Sequence, residues 1–336
     1  MLKTLGITVV LPALTFSATW GFTSPSKVIP NLDTLSLISE QAGEKKQPRN
    51  IIFNPHHTLG FVSLKQEVSE AENKDNFQRL MEVAIARHLY QLSMGEIIQA
   101  IAEEFLGKAY KAGLLDKSTQ ETLTISLTEF DCVLFVETVL AIARNLALQD
   151  YSYQTFTNHI RNQRYLNGQL DGYCSRLHYF SVWIDDNQKR GTIKNIVPEL
   201  GGIFLKKKLN FMSTHRHRYR RLRDNDANYR CIVEMEANLD PVSIDYIPHS
   251  QIRNTYSLLQ PGDIIGIATN ISGLDVTHTG LVYRFPDGNV GLIHASPIGE
   301  VTIARDLHRY VGNVNNAIGI LVARPLDPRF LSPVNQ

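Results

Sequence analysis

The clearest hydrophobic patterns lie in the middle of the chain, where two neighbouring stretches have helical character. In MGEIIQAIAEEFLG, residues 94–107, apolar residues recur at helical spacing and a glycine ends the pattern, which predicts an amphipathic helix. The next stretch, VLFVETVLAIARNLALQ at residues 133–149, is apolar on nearly all sides and predicts a buried helix. Asp131 precedes it and is a good N-cap, so Cys132 falls in the first helical turn.

Towards the C-terminus, short apolar runs alternate with turn residues. Residues 263–322 indicate successive antiparallel strands, and the DG of FPDGN marks the tip of a hairpin. His278 lies near the start of one hairpin strand and His294 near the end of the next, so both lie at the same end. We predict a three-residue loop. The residue numbers of two paired residues then add up to an even number, and both rings lie on one face of the hairpin. A two-residue turn would place them on opposite faces.

The first residues have the layout of an export signal. Lys3 precedes an apolar run at residues 5–16 and small residues at 17–19, and the run contains Pro12 and is shorter than the ~20 residues of a membrane span. We predict a signal peptide at residues 1–22, a linker or irregular segment at 23–75, and one domain at 76–330. A membrane anchor is the alternative for the first segment. Export predicts a location in the periplasm or cell envelope, without stable membrane insertion after signal removal.

Composition and charge suggest an ordinary globular protein. The 336 residues are 43% hydrophobic and 20% charged, with a net charge of +1, which calls for neither nucleic acid nor a membrane surface. Acids follow the basic stretch at residues 215–223 at once, and no nucleic-acid module is recognisable, so we predict no nucleic-acid partner. The three cysteines leave at least one thiol unpaired. Cys174 and Cys231 either form a disulfide or are two buried thiols, and both alternatives stay open.

Cys132 has two interpretations. Backbone N–H groups and the helix dipole at a helix start favour a thiolate and lower the thiol pKa, which suits a nucleophile. Most lone cysteines instead fill core positions as small apolar residues. A nucleophilic cysteine needs an imidazole that protonates the leaving amine and a third polar group that orients this ring. Cys132, His278 and His294 fit these roles in order, although a lone histidine is more often a surface or structural residue.

Several ordered motifs point to a known family. FLGKAY, FDCVLFVET, PGDIIGI, THTGLVY and LIHASP resemble motifs of the NlpC/P60 superfamily of papain-like cell-wall amidases and endopeptidases. The segments YLNGQLDGYCSRLHYFSVWIDDN, LNFMSTH and GLDVTHTG are similar to the DUF1460 branch, which is N-acetylmuramoyl-L-alanine amidase-like. The resemblance covers residues 94–325 and implies an α+β, papain-like fold. Its helical subdomain, which carries Cys132, would pack on an antiparallel, barrel-like sheet that carries both histidines.

This resemblance also implies an activity. Cys132 would be the nucleophile, His278 the general base and acid, and His294 the orienting residue, with the N–H of Cys132 in the oxyanion hole. Val133 and Leu134 replace the Ser-Gly pair that often follows the cysteine, so a serine hydroxyl has no role there. The implied reaction cleaves the amide between N-acetylmuramic acid and L-alanine through a thioester, with muropeptides as partners and without metal or cofactor. The alternatives are a γ-D-glutamyl-diamino acid endopeptidase and a catalytically inactive wall-binding protein.

A large insertion separates the nucleophile from the base. Cys132 and His278 are 146 positions apart, so about a hundred residues, roughly 151–249, form an insertion in which we expect specificity to reside. An arginine there could bind a carboxylate and an aromatic ring could stack on a sugar. In the alternative, Arg176 pairs with an acid such as Asp171 or Asp185, and Tyr179 and Trp183 are core residues. The candidate substrate-binding residues are Asp131, Arg176, His178, Tyr179, Ser213, His215 and Asp275.

Overall fold

The computed structural model describes residues 58–239 and 242–331, so the predicted signal peptide at 1–22 lies outside the described residues. The helices are α1 (Thr58–Ala86), α2 (Met94–Glu103), α3 (Cys132–Leu148), α4 (Tyr153–Arg164), α5 (Phe180–Lys189), α6 (Phe211–Thr214), α7 (Arg220–Arg223), α8 (Asp226–Asn238) and α9 (Leu307–Gly312). The strands are β1 (Ala109–Tyr110), β2 (Glu129–Phe130), β3 (Ile193–Asn195), β4 (Ile203–Lys207), β5 (Val242–Pro248), β6 (Ile264–Thr269), β7 (Val276–Arg284), β8 (Val290–Ala295), β9 (Val301–Ala304) and β10 (Ala317–Pro325).

Helix α1 begins before the predicted start of the domain. It includes residues 58–75, which we predicted to be linker or irregular, so that prediction is corrected for this stretch. Glu and Lys, which favour helix, are frequent in the stretch, but its many polar residues also fit a linker. Further along α1, Phe77 and Met81 are buried, and the Phe77 ring stacks on that of Phe156 in α4 at 4.9 Å. These contacts fix the helix on the domain.

The two predicted central helices are both present. Helix α2 starts with a capping box, in which Ser93 and Glu96 exchange hydrogen bonds. All side chains from Leu134 to Ala147 in α3 are buried, which confirms the predicted core helix. The buried carboxylate of Glu137 accepts hydrogen bonds from Arg164 Nε at 2.7 Å and from Trp183 Nε1 at 3.3 Å, so its charge is compensated inside the protein.

An antiparallel sheet forms the C-terminal half. Its strands run in the order β4, β5, β10, β6, β7, β8 and β9, and β3 also pairs with β10. All these pairs are antiparallel, whereas the short strands β1 and β2 form a separate parallel pair. The predicted combination of helices with an antiparallel sheet is confirmed. Closure of the sheet into a barrel stays a prediction.

Both faces of the central strands are buried. Ile264 and Ala268 of β6 belong to the apolar cluster that contains α2 and α3. Ile265 and Ile267 belong to a second cluster, together with Leu307 and Val311 of α9. This alternation follows from the two-residue period of a strand. It places α3 and α9 in different clusters, with β6, β7 and β8 contributing to both.

The described residues also answer two questions about cross-links and membranes. Cys174 and Cys231 form a disulfide, which decides between the two alternatives that the sequence leaves open, and Cys132 is free. In the part of the chain that the structure describes, no helix combines the length and the apolarity that a membrane crossing requires.

Candidate active site

Cys132 begins helix α3, as predicted. The Asp131 carboxylate accepts hydrogen bonds from the N–H groups of Val133 at 3.1 Å and Leu134 at 2.8 Å, which confirms Asp131 as the N-cap. The preceding Phe130 is fully buried and β2 pairs with β1, so the chain enters the helix from a fixed direction. The Cys132 side chain is partly exposed. Cys132 therefore lies at the end of a buried helix.

The hairpin of β7 and β8 has the predicted register. Leu281 pairs with Ile293 and Tyr283 with Gly291, and each pair has an even number sum. The N–H of Phe285 donates to the carbonyl of Asn289 at 3.0 Å, so the loop between them contains three residues. Both predictions are confirmed, and they place the two histidines on one face of the hairpin.

Two backbone features shape the surroundings of the histidines. The β6–β7 register shifts between Gly266 and Ala268, at the position of His278, and such bulges reorient side chains. The even register places Gly280 opposite His294. A Cβ atom at Gly280 would lie 2.9 Å from the His294 Cβ, so the glycine leaves the space that this ring needs.

The two imidazoles form a direct pair. Nε2 of His278 lies 2.8 Å from Nδ1 of His294, and the rings meet edge to face at 85°. His278 is 6% exposed and His294 is 1% exposed. Burial, and the neighbouring His294, lower the pKa of His278 to about 3, and burial lowers that of His294 to about 4. Both rings are therefore neutral at neutral pH.

The Cys132 thiol is also neutral at rest, contrary to our prediction. Burial of the sulfur, and then the Asp131 charge, raise the pKa of Cys132 to about 11, although hydrogen bonding to Thr279 acts in the opposite direction. The predicted lowering by the helix start is outweighed because an apolar environment and a neighbouring carboxylate both disfavour the thiolate. Thr279 follows His278 directly in β7. The sulfur therefore lies against the strand that carries the first imidazole.

Three residues near the site were missed in the sequence. Thr279 contacts the sulfur, yet its buried hydroxyl has no hydrogen-bond partner of ordinary geometry. The Tyr310 hydroxyl lies 3.4 Å from Nδ1 of His294. Burial, and then proximity to Cys132, raise the pKa values of Tyr110 and Tyr310 well above the ordinary 10. Tyr110 ends the FLGKAY motif and Thr279 lies in THTGLVY, so the motifs could have identified these two residues as part of the site. Tyr310 lies in none of the motifs.

Arg176 is held by carboxylates from a distant part of the chain. Its guanidinium lies 2.7 Å from Asp116 and 3.7 Å from Glu121, and it stacks over the Tyr173 ring at 4.9 Å. Arg176 therefore forms ion pairs within the protein, which was one of the two predicted alternatives. Its partners are acids about sixty positions upstream, not Asp171 or Asp185. The arginine is 7% exposed, and its charge is already compensated.

The neighbouring candidates also have partners in the protein. The imidazole Nε2 of His178 lies 2.9 Å from the Tyr173 carbonyl, and the Tyr179 hydroxyl donates to Glu236 at 2.6 Å. Tyr179 and Trp183 are buried, as the structural alternative predicts. Arg176, His178 and Tyr179 line a cavity of about 330 Å³ beside the disulfide, so the three are brought together.

The remaining candidates stabilise the insertion and the start of β7. The N–H of Ser213 donates to Glu236 at 3.2 Å, and Nδ1 of His215 lies 2.9 Å from the Phe211 carbonyl. Asp275 accepts hydrogen bonds from the N–H and the hydroxyl of Ser181, both at 2.7 Å. Asp275 thus ties the strand that carries His278 to helix α5. A substrate contact at any of these residues would have to share or replace a bond within the protein.

Other charged groups are also paired. In the basic stretch at 215–223, Arg216 pairs with Asp226, Arg223 pairs with Asp224, and the buried Arg221 lies 3.4 Å from Glu121. Acids that follow the stretch, together with the distant Glu121, thus compensate the charges of these three arginines. Within residues 58–239 and 242–331, no group of three or more His, Cys, Asp or Glu side chains is placed to hold a metal ion.

Comparison with solved structures identifies relatives of this fold. An N-acetylmuramoyl-L-alanine amidase from Bacteroides uniformis is 29% identical, with a TM-score of 0.65 over 69% of this chain and 98% of its own. A candidate xylanase from Bacteroides fragilis is 31% identical, with a TM-score of 0.60 over 67% of this chain and 99% of its own. A Legionella pneumophila protein of the DUF1460 family is 21% identical, with a TM-score of 0.59 over 77% and 96%, and supports the fold alone.

The family model gives the more specific result. No curated protein matches the chain. The model of the AmiA-like family, described as N-acetylmuramoyl-L-alanine amidase-like, matches residues 100–320, a range that contains Cys132, His278 and His294. This agrees with the resemblance found in the sequence motifs. Because the match covers more than half of its length, the chain belongs to the AmiA-like family of N-acetylmuramoyl-L-alanine amidase-like proteins.

Proposed function

We propose that this protein is an exported cysteine hydrolase that cleaves the amide bond between N-acetylmuramic acid and L-alanine in peptidoglycan fragments. The observation that carries this proposal is the 2.8 Å contact between His278 and His294, with the Cys132 sulfur against Thr279, the residue that follows His278 in β7. On this proposal, Cys132 would be the nucleophile, His278 the base and His294 the orienting group. Membership of the amidase-like family supports amide hydrolysis and peptidoglycan as the substrate class.

In the proposed mechanism, the Cys132 sulfur attacks the amide carbonyl while Nδ1 of His278 takes the thiol proton. The Cys132 N–H donates to the oxyanion, because Asp131 accepts from the next two N–H groups of α3. His278 then gives its proton to the leaving nitrogen, which departs as the amine of the stem peptide. Water attacks the resulting thioester, with His278 again as the base, and the free thiol is restored.

The charge state of the resting site determines when the proton moves. Since the pKa of Cys132 is raised to about 11 and that of His278 is lowered to about 3, thiol and imidazole are both neutral before substrate binds. We therefore propose that proton transfer accompanies formation of the S–C bond. The imidazolium that results keeps its Nε2–H directed at His294, which stabilises the new charge.

The proposal includes a fold and a domain division. We assign the fold to the papain-like NlpC/P60 type, with a helical subdomain, a barrel-like sheet and an insertion between nucleophile and base. Residues 1–22 would be removed as a signal peptide, 76–330 together with the start of α1 would form the amidase domain, and 23–57 would be the linker before it. The disulfide between Cys174 and Cys231 supports an oxidising compartment such as the periplasm or the cell envelope.

The test uses defined muropeptides with the purified protein and mass spectrometry of the products. We expect release of the intact stem peptide with a free L-alanine amine. Cleavage within the stem would instead indicate the endopeptidase alternative, and unchanged fragments would indicate a wall-binding protein. Cys132→Ala should reduce the rate at least ~10³-fold, because it removes the nucleophile. Equal rates for Cys132→Ala and the wild type would reject the proposed nucleophile.

The imidazoles need a separate test with a matched control. We expect His278→Asn and His294→Asn to reduce kcat, the former by roughly 10²–10⁴-fold, since it removes the base. His88→Asn is the control, because His88 is exposed and its positive φ of 54° is one that asparagine tolerates. The assignment is rejected if His278→Asn keeps the kcat of the control.

A further inference from the structure

Tyr310 reaches the histidine pair from a separate element of the fold. Helix α9 is capped by Asp306, which accepts from the Arg309 N–H at 2.7 Å, and it is anchored by the buried Leu307 and Val311. This placement brings the Tyr310 ring to 4.7 Å from the His294 ring and 6.3 Å from the His278 ring. The rigid anchoring means that the hydroxyl has a defined position beside the imidazoles.

Nδ1 of His294 therefore has two polar neighbours. Nε2 of His278 lies at 2.8 Å and the Tyr310 hydroxyl at 3.4 Å from this one atom. An unprotonated ring nitrogen accepts through a single lone pair, which two neighbouring donors can share as a bifurcated hydrogen bond, whereas a protonated one leaves the Tyr310 hydroxyl without an acceptor there. Burial raises the pKa of Tyr310 far above neutrality, so the phenol keeps its proton and can donate it.

The position of one proton decides whether His278 can act as a base. Both rings are neutral, so each carries a single N–H, and the contact between them needs one proton. If that proton is on Nδ1 of His294, then Nε2 of His278 accepts it and Nδ1 of His278 carries the other proton. If it is on Nε2 of His278, then Nδ1 of His278 is unprotonated and can take the thiol proton.

We propose that Tyr310 is a positioning residue that donates a hydrogen bond to Nδ1 of His294 and thereby holds both histidines in their Nε2–H tautomers. Its hydroxyl hydrogen competes with any proton on Nδ1 of His294, which leaves Nε2 of His278 as the donor in the imidazole pair. The tautomers are a property of the resting protein. Their catalytic meaning, an unprotonated Nδ1 on His278 before attack, rests on the proposed function.

The ¹⁵N chemical shifts of the imidazole nitrogens report directly which tautomer each histidine adopts. The experiment uses the full protein labelled with ¹⁵N-histidine at neutral pH, without substrate, and two-bond ¹H–¹⁵N correlation spectra. Spectra of His278→Asn and His294→Asn assign the two rings. In the wild type we expect unprotonated shifts for Nδ1 and protonated shifts for Nε2 in both rings. In Tyr310→Phe we expect the His294 shifts to move towards those of a tautomer mixture.

The same variant has a kinetic consequence. Loss of one neutral hydrogen bond should reduce kcat about three- to tenfold with KM nearly unchanged, because binding groups are not altered. Tyr283→Phe is the matched control, since it removes a hydroxyl on β7 that donates to Glu103 at 2.8 Å. This control should change neither the histidine spectra nor kcat.

Two results would overturn the inference. One is a protonated Nδ1 on His278 in the wild type, and the other is an unchanged His294 spectrum in Tyr310→Phe, even with a lower kcat. The latter would mean that the hydroxyl acts only through packing. Because the spectra need no substrate, an inactive wild-type protein would reject the proposed function and leave the tautomer result intact.

Discussion

Replacement of Gly280 tests whether the spacing of the two histidines depends on an empty position in β7. A Cβ atom at this residue would lie 2.9 Å from three atoms: the His294 Cβ, the Ile293 carbonyl oxygen and the Leu292 Cδ1. The Leu292 methyl can move by rotation. The carbonyl and the His294 Cβ belong to β8 or are attached to it, so Gly280→Ala must push this strand away from β7.

The structure sets the size of the effect. Extending a 2.9 Å contact to an ordinary carbon–carbon distance of about 3.5 Å moves His294 by about 0.6 Å. This shift would stretch the 2.8 Å imidazole contact to the limit of a hydrogen bond. We expect kcat to fall roughly ten- to hundredfold, because small misplacements of catalytic groups are costly. Overpacking should also reduce the free energy of unfolding by about 1–3 kcal/mol.

Gly291→Ala is the matched control for this strain. Its added Cβ would lie 2.4 Å from the Ala304 carbonyl oxygen, in the same hairpin but on the side of β9. Urea unfolding and muropeptide hydrolysis are measured for both variants and the wild type. We expect both variants to lose stability and only Gly280→Ala to lose kcat beyond threefold. Equal kcat values at comparable losses of stability would refute the role that we assign to Gly280.

Three further predictions concern the thiol, the core and the disulfide. Because the pKa of Cys132 is raised to about 11, alkylation by iodoacetamide should accelerate steadily with pH, and a rate plateau around neutral pH would contradict a neutral resting pair. Arg164→Met leaves the buried Glu137 carboxylate without its cation and should reduce the free energy of unfolding in urea by about 3–5 kcal/mol, and a loss below ~1 kcal/mol would contradict this. Double replacement of Cys174 and Cys231 by Ser should cost about 2–4 kcal/mol in the same assay while kcat is kept, and a lost kcat at 20 °C in folded protein would give the disulfide a role in the site.

Local sequence signals predicted the parts of the site that depend on neighbours in the chain. The Asp131 cap, the position of Cys132 in the first turn and the three-residue hairpin loop all follow from a few adjacent residues. The register then follows from the loop, so the common face of His278 and His294 could also be predicted. The register shift in β7 beside His278, by contrast, had no signal in the sequence analysis.

The features that sequence reasoning missed depend on contacts between distant segments. Arg176 pairs with Asp116 and Glu121, although acids much nearer in the chain were the expected partners. Tyr310 comes from a short helix that shows no catalytic motif. The direction of the Cys132 pKa shift was also missed, because the helix start is visible in the sequence whereas burial of the sulfur is not.

The order of these elements along the chain determines when the site can first exist. Cys132 is synthesised 146 positions before His278, and β10, which lies between β5 and β6 in the sheet, comes last of all. On the proposed assignment, a partly translated or partly translocated chain presents a sulfur that has no proton acceptor. The sheet that carries both histidines is complete only when the last strand, β10, pairs with β5 and β6, so the scaffold of the proposed site draws on the chain almost to residue 325.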